Sequence, residues 1–330
     1  MAGVYLSRTT DAIDVRLNLG EALGGMILLA VAGSLPELAV TVSGALAGNL
    51  GLVAGNLIGG IALQTAIMVI CDFCVRGDRP LSHLVGSLIP VLEASIVIML
   101  VSVVLMGALL PASVSIGSVS PASIVAVVLW LLGINVLHRA RKAPRWQASA
   151  PGSRPGRPHR RVAHHEQPHP FSNASTARVV LIFVAGCVIT LISGVLLEIT
   201  GSQLANRAGI NGVIFGATVL ALATGLPEIS TGIAAVRLGD NQLVMSDVFG
   251  GNAFQVCLFL VADLVAGRAV LPSLGHANSW LASVGIVLTA VYAAAVILRP
   301  RRRILRLGTD SIIVVFAFAI GVLGLIAVSR

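Results

Sequence analysis

Charged residues are scarce in this sequence of 330 residues, where Asp, Glu, Lys and Arg together make up 11%. Soluble domains carry roughly 25% of such residues. Aromatic residues account for only 4% of the chain, whereas apolar residues account for 56% and the mean hydropathy is +0.94. So little charge excludes an ordinary soluble enzyme and a disordered chain. The composition is typical of a polytopic helical membrane protein, which makes the lipid bilayer its first expected partner.

Cysteine is also scarce, which excludes a disulfide-rich secreted module. The four cysteines are Cys71, Cys74, Cys187 and Cys257. The first two form a lone C-x-x-C pair with neither a second pair nor a nearby histidine, so we expect buried thiols in preference to a zinc or redox site. A nucleophile–base set is likewise missing, and we expect no enzyme activity and no cofactor.

Apolar runs predict nine membrane helices, in two groups separated by a polar segment. We expect an all-α membrane protein whose helices lie near 20–47, 50–72, 84–110, 121–138, 178–199, 211–236, 242–266, 280–298 and 311–328. Residues 139–177 are rich in Pro, Arg, Ser and His and predict a disordered linker. The predicted organisation is therefore a first unit over 1–138, the linker over 139–177 and a second unit over 178–330.

The net charge of +8 lies in short segments between the apolar runs, which argues against a nucleic-acid-binding face. When the nine helices alternate across the membrane, 19 of the 22 Lys and Arg residues fall on the side of the linker. Since positive residues favour the cytoplasmic side, we expect a multi-pass protein of the cell membrane with its N-terminus and linker inside.

An internal repeat relates the two units at an offset of 191 residues. Residues 25–72 and 216–263 share 15 identities over 48 positions without a gap, and the shared residues include Pro-Glu, Gly-Gly and a later Gln. The first copy begins on the predicted inside and the second on the predicted outside. The sequence therefore predicts two inverted-topology repeats of about five helices, an arrangement of many secondary transporters.

The two units differ by one helix. The predicted helix 178–199 precedes the repeat motif in the second unit, and its counterpart in the first would lie upstream of Met1. We therefore expect the first repeat to lack its first helix, with a start codon placed too late as the favoured explanation.

Two glutamates inside apolar helices are the main functional candidates. Glu37 and Glu228 occupy equivalent repeat positions, each directly after a proline. A carboxylate at membrane depth is costly, by about 2.5–3.5 kcal/mol on insertion scales. Paired buried carboxylates either share protons or hold a metal ion, so the pair predicts a cation site. Protonated structural acids are the alternative interpretation.

Oxygen-bearing side chains accompany the two glutamates. Each proline removes a backbone donor, which frees the carbonyls of Ala32 and Ala223. Hydroxyls and carbonyls are hard ligands suited to Ca²⁺ or Na⁺. The further candidate metal ligands are therefore Ser34, Thr224, Gln64, Gln255, Asn56 and Asp247. The two glutamines either ligate the cation or hydrogen-bond the glutamates, and the sequence leaves both open.

Other polar residues have more ordinary interpretations. Asp72 and Asp263 lie near helix ends, where capping is expected. Glu93 stands alone in the predicted helix 84–110, so a proton-linked role is only the lesser alternative. The linker histidines His159, His164, His165 and His169 are expected to belong to a solvated basic tether. The paired glycines Gly59-Gly60 and Gly250-Gly251 predict close helix crossings.

With these motifs in place, the chain resembles the sodium/calcium exchanger membrane-region family of calcium/cation antiporters. That family repeats a pattern G-T-S-x-P-E followed by G-S-N-x-x-[N/D], matched here by segments 32–37 with 59–64 and by 223–228 with 250–255. The resemblance covers the chain outside the linker. It implies a ten-helix fold, antiport of Ca²⁺ against Na⁺ or H⁺, and a central ion-binding role for Glu37 and Glu228.

The chain departs from the family pattern at several ligand positions. Gly60 and Gly251 replace serines, Gln64 and Gln255 replace the final Asn or Asp, and each Thr-Ser pair keeps one hydroxyl. These losses speak against a three-sodium stoichiometry, whereas proton coupling needs only a titratable glutamate. We therefore expect a cation antiporter working by alternating access, with a non-transporting ion sensor or scaffold as the alternative.

Overall fold

The computed structural model describes residues 33–142 and 175–329, and these residues are almost entirely helical. The N-terminal part of the predicted helix 20–47 and most of the predicted linker, including its histidines, lie outside the described residues. The helices are α1 (Leu35–Leu46), α2 (Leu50–Cys74), α3 (Leu81–Leu84), α4 (Ile89–Leu109), α5 (Pro121–Lys142), α6 (Thr176–Ala208), α7 (Gly212–Thr224), α8 (Leu226–Leu238), α9 (Asn241–Ala266), α10 (His276–Leu298) and α11 (Thr309–Val328). A short hairpin of Arg303–Ile304 with Leu307–Gly308 precedes α11.

The described helices confirm an all-α membrane fold. Seven are long and apolar enough to cross a bilayer, and the bent pair α7–α8 raises that number to eight. The remaining predicted span is represented in the described part of the chain by α1, which has 12 residues. Several boundaries differ from the prediction. Helix α5 runs to Lys142 and α6 starts at Thr176, inside the segment predicted as linker, and α6 ends at Ala208, nine residues beyond the predicted end.

The predicted helix 211–236 is broken, which corrects the expectation of a single continuous segment. The two pieces α7 and α8 meet at Gly225 with a 45° bend. Pro227 lies in the first turn of α8, where its missing N–H removes no helical hydrogen bond. A π-helical turn over Gly216–Leu220 interrupts α7 as well. The break places Glu228 at a helix N-terminus in the middle of a membrane-length segment.

The turns that follow α1 and α8 confirm the equivalence of the two copies. Gly48 and Gly239 both adopt the left-handed conformation, with φ of 75° and 80°. The next residues, Asn49 and Asp240, are the N-caps of α2 and α9. Glycine suits this turn because it has no side chain to clash at positive φ.

Asp72 and Asp263, near the ends of the equivalent helices α2 and α9, act as capping residues, as predicted. Asp72 accepts hydrogen bonds from the N–H groups of Leu81 and Gly308 and from the Ser311 hydroxyl, each at 2.7 Å. Asp263 accepts from the N–H groups of Val270 at 2.6 Å and Ser120 at 2.9 Å. Both residues are fully buried. Asp72 holds the start of α11 and Asp263 holds the start of α5, in each case a membrane helix of the other unit.

The core of the molecule lies where α2 and α9 cross, with α4 and α10 packed against them. Close backbone approach explains the first glycine pair, since a Cβ on Gly59 would collide with Ala217 of α7. Around Gly250 and Gly251, by contrast, no described atom lies within 4 Å of an added Cβ. The predicted close crossing is therefore seen only at the first pair within the described residues. The crossing α2–α7 brings the two repeats together at the level of the glutamates.

Candidate functional site

Glu37 begins the site at the first turn of α1. Its side chain is 1% exposed, and Ser34, which precedes the helix, is 4% exposed. Pro36 occupies a position in the first turn where a missing N–H costs no hydrogen bond. The positive end of the helix dipole favours a negative charge at such a position.

Glu228 occupies the equivalent place in α8, directly after the bend at Gly225. The residue is partly exposed, but its Oε2 atom is buried. The carboxylate of Glu37 is close enough to act on Glu228 electrostatically, and so is that of Asp247. The fold thus brings together the two glutamates that lie 191 residues apart in the sequence.

Polar side chains from both repeats surround Glu37. The Nε2 of Gln64 lies 3.4 Å from Glu37 Oε1, and the Thr224 hydroxyl lies beside the same carboxylate. Thr224 also donates to Asn56 Oδ1 at 3.4 Å and to the Ala221 carbonyl at 3.2 Å. For Gln64 the structure therefore shows the hydrogen-bonding arrangement, with its carbonyl oxygen still free of described donors.

Gln255 reaches across from the second repeat into the first. Its Nε2 donates to the Asn56 backbone carbonyl at 3.5 Å, and its side chain fills the space where a Cβ of Gly60 would lie. A side chain at the position of Gly60 would therefore force the amide end of Gln255 to move. These two departures from the family pattern are sterically coupled.

Asp247 joins the site from the start of α9. Its Oδ2 accepts a hydrogen bond from the Thr231 hydroxyl of α8 at 2.9 Å. The sequence analysis named Asp247 without fixing its depth, and it missed Thr231. It also missed Asn252, whose Nδ2 donates to the Thr65 hydroxyl at 3.1 Å. A polar residue about one turn from a named motif residue was the sequence signal available for both.

Five buried side-chain oxygens of this region accept no hydrogen bond from any residue that the structure describes. They are Glu37 Oε2, Gln64 Oε1, Glu228 Oε2, Asn252 Oδ1 and Gln255 Oε1. Buried acceptors without donors are unfavourable unless a proton, a water or a cation compensates them. All five are hard oxygen ligands of the type that Ca²⁺ and Na⁺ prefer.

The arrangement differs from that of a resident metal centre. Across residues 33–142 and 175–329, no three His, Cys, Asp or Glu residues converge to hold a metal ion. The candidate site instead combines two central carboxylates with amide and hydroxyl oxygens. Such a set suits an ion that binds and leaves.

Two other buried glutamates belong to structural contacts. Glu93, which lacked a visible partner in the sequence, forms an ion pair with Arg141 at 2.9 Å. Glu198 of α6 accepts a hydrogen bond from Asn49 at 2.9 Å and is 1% exposed. The four cysteines are free thiols, of which Cys71 and Cys257 are buried, as expected, whereas Cys74 and Cys187 are partly exposed.

Membrane-length helices, and a glutamate in the first turn of both α1 and α8, are features typical of a membrane transport protein with repeated units. The sequence model of the family described as "Sodium/calcium exchanger protein" matches residues 1–149 and 178–327. The chain belongs to this family, which confirms the resemblance. It is therefore a secondary transporter and not an enzyme, and the family membership supports cation antiport.

Three individual relatives share between 14% and 24% of their aligned residues with this chain. A protein of Alkalimonas amylolytica named "Putative antiporter CaxA" is 24% identical over 261 residues, covering 79% of this chain and 75% of that protein. The solved H⁺/Ca²⁺ exchanger CAX has a TM-score of 0.64 at 14% identity, over 98% of this chain and 78% of its own. The sodium-calcium exchanger NCX_Mj has a TM-score of 0.56 at 16% identity, over 98% and 93%. These structural likenesses show the exchanger fold with its inverted repeats.

Proposed function

We propose that this protein exchanges Ca²⁺ for Na⁺ or H⁺ across the membrane by alternating access. The pair of glutamates in the first turns of α1 and α8 is the observation that carries the proposal. Two carboxylates balance the charge of one Ca²⁺, and their unpartnered oxygens are ready acceptors. Glu37 and Glu228 would bind either the metal ion or the counter-ion, never both at once.

The other ligands would come from the oxygens around the pair. Gln64 and Gln255 would offer carbonyl oxygens, and Thr224 and Ser34 would offer hydroxyls, since hydroxyl and amide oxygens complete calcium coordination in proteins. Asn56 already receives hydrogen bonds from Thr224 and Gln255, so it would hold those two side chains in place. Broken helices at the middle of the membrane are the usual place for such sites in transporters.

Protons are the counter-ion that the side chains favour. Gly60 and Gly251 supply no hydroxyl, and Gln255 occupies the space next to Gly60. A set reduced in this way offers fewer oxygens for several sodium ions, whereas protonation needs only one carboxylate. The solved exchanger CAX is an H⁺/Ca²⁺ exchanger by its name.

Flux measurements on the purified full chain in proteoliposomes test the proposal. Radioactive Ca²⁺ uptake is expected to follow an outwardly directed H⁺ gradient, and a matched Na⁺ gradient shows whether sodium replaces protons. Retained Ca²⁺ binding without flux under either gradient would favour the ion-sensing alternative. Flux that ignores both gradients would overturn the exchange mechanism.

A further inference from the structure

The repeat allows each side chain of the second copy to be compared with its counterpart in the first. Thr231 and Asp247 form a hydrogen-bonded pair in the second copy. At the same offset of 191 residues, the first copy has Val40 and Asn56. The site is therefore symmetric in its glutamates and asymmetric one turn away from them.

The asymmetric pair lies between Glu228 and one face of the membrane. Asp247 follows the start of α9 at Asn241 by six residues, and Glu228 precedes the end of α8 at Leu238 by ten. At about 1.5 Å per residue, the two side chains lie about 9 Å and 15 Å along their helices from the turn that contains Arg237. We call this side of the molecule the Arg237 face, which the charge distribution predicts to be cytoplasmic.

Exposure differs between the two copies in the same sense. Val40 and Asn56 are 0% exposed, whereas Thr231 and Asp247 are both partly exposed. In the first copy, the two equivalent side chains are thus buried and uncharged. The second copy has a partly exposed aspartate close enough to Glu228 to act on it electrostatically.

Packing does not require this carboxylate. Thr231 needs one acceptor oxygen, which an asparagine would provide as well as an aspartate. The contact of α8 with α2 is made one residue further on, where a Cβ on Gly232 would lie 2.7 Å from Cys71 Sγ. Cys71 of α2 is also close enough to Asp247 for the two to interact electrostatically. The fold therefore does not need the negative charge of Asp247, and the first copy has the uncharged Asn56 at the equivalent position.

We propose that Asp247, held by Thr231, is the access ligand for the transported cation on the Arg237 face. It would meet Ca²⁺ from the aqueous side and pass it to the Glu228–Glu37 pair, and it would contribute only while the site is open to that face. This inference rests on the proposed function and adds to it a difference between the two faces.

The test compares half-saturating Ca²⁺ at the two faces, measured as exchange in everted and right-side-out membrane vesicles that contain the full chain. Asp247→Asn, which introduces the first copy's side chain, is expected to raise this concentration about tenfold at the Arg237 face and to leave the opposite face unchanged. Asp247→Glu keeps the charge and should retain the wild-type value. Asn56→Asp adds a carboxylate to the first copy and should lower the value at the opposite face.

Each result decides the matter. Equal changes at both faces after Asp247→Asn would make Asp247 an ordinary central ligand and overturn the inference, and so would no change at either face. If that variant does not reach the membrane, Thr231→Val, which introduces the first copy's residue and removes the hydrogen bond to Asp247, decides in its place, because an unchanged value at the Arg237 face would contradict the proposal. Wild-type vesicles without any Ca²⁺ exchange would overturn the proposed function as well, whereas the other negative results leave it standing.

Discussion

Replacing Glu37 by glutamine tests the central claim about the site. The change keeps the shape of a side chain that is 1% exposed and removes its charge. Truncating one partner of a buried charge pair, here the carboxylate that would face bound Ca²⁺, costs about 2–5 kcal/mol of binding free energy. Since 1.4 kcal/mol corresponds to a factor of ten, Ca²⁺ exchange is expected to fall by roughly two to three orders of magnitude.

Stability measurements separate loss of binding from loss of the fold. Wild-type protein should gain thermal stability when Ca²⁺ is added, because a ligand that binds only the folded state stabilises it. Glu37→Gln should lose that gain. In the absence of Ca²⁺ it should unfold at the same temperature or a higher one, since glutamine removes the repulsion with Glu228.

Glu198 provides the matched control. It is as deeply buried as Glu37, but it lies on α6 and accepts a hydrogen bond from Asn49, which a glutamine oxygen also accepts. Glu198→Gln should retain exchange within about threefold, since a conserved hydrogen bond changes the free energy by well under 1 kcal/mol. Wild-type exchange by Glu37→Gln, or equal losses in both variants, would refute the assignment of Glu37.

Three further predictions concern the surroundings of the pair. Gly60→Ser should lower the melting temperature because its Cβ collides with Gln255, and adding Gln255→Asn should recover most of the loss. Asp72→Asn should reduce the free energy of unfolding by roughly 2–4 kcal/mol, because it weakens a buried acceptor of three hydrogen bonds. Arg141→Met should cost roughly 3 kcal/mol by leaving Glu93 charged and buried, whereas the double variant with Glu93→Gln should be less destabilised than the single one.

A specific result would contradict each of these three predictions. Equal melting temperatures for Gly60→Ser with and without the second change would show that Gln255 is not the obstacle. An unfolding energy for Asp72→Asn close to that of a change at the exposed Asp78 would remove the capping role. Additive effects of Arg141→Met and Glu93→Gln in a double-mutant cycle would show that the ion pair contributes nothing.

Much of the fold could be predicted from the sequence because a bilayer imposes strong constraints on composition. Helices α4, α9, α10 and α11 follow directly from long apolar runs, and the repeat predicts that α1 and α8 are equivalent. The break between α7 and α8 was missed because a proline after Thr224-Gly225-Leu226 predicts loosening but leaves its extent open. How far it goes depends on the contacts of α7 with α2.

The site was predicted in part for the same reason. Acids inside apolar segments are conspicuous, so Glu37, Glu228 and Asp247 were evident from their positions alone. Partners such as Thr231 and Asn252 were not, because an uncharged polar residue is common in membrane helices and only its neighbour gives it a role. Glu93 was equally undecided until Arg141, 48 residues away, was placed beside it.

By itself the sequence determined the membrane class, the inverted repeat and the two glutamates, since each depends on composition or on spacing along one chain. Only the tertiary structure decided which oxygens surround the glutamates, why Gly60 accompanies Gln255, and that Asp247 lies on one side of the pair. The physical reason is that these contacts join residues from different repeats or from crossing helices. Their distances depend on how α2, α8 and α9 pack, which no local pattern of residues specifies.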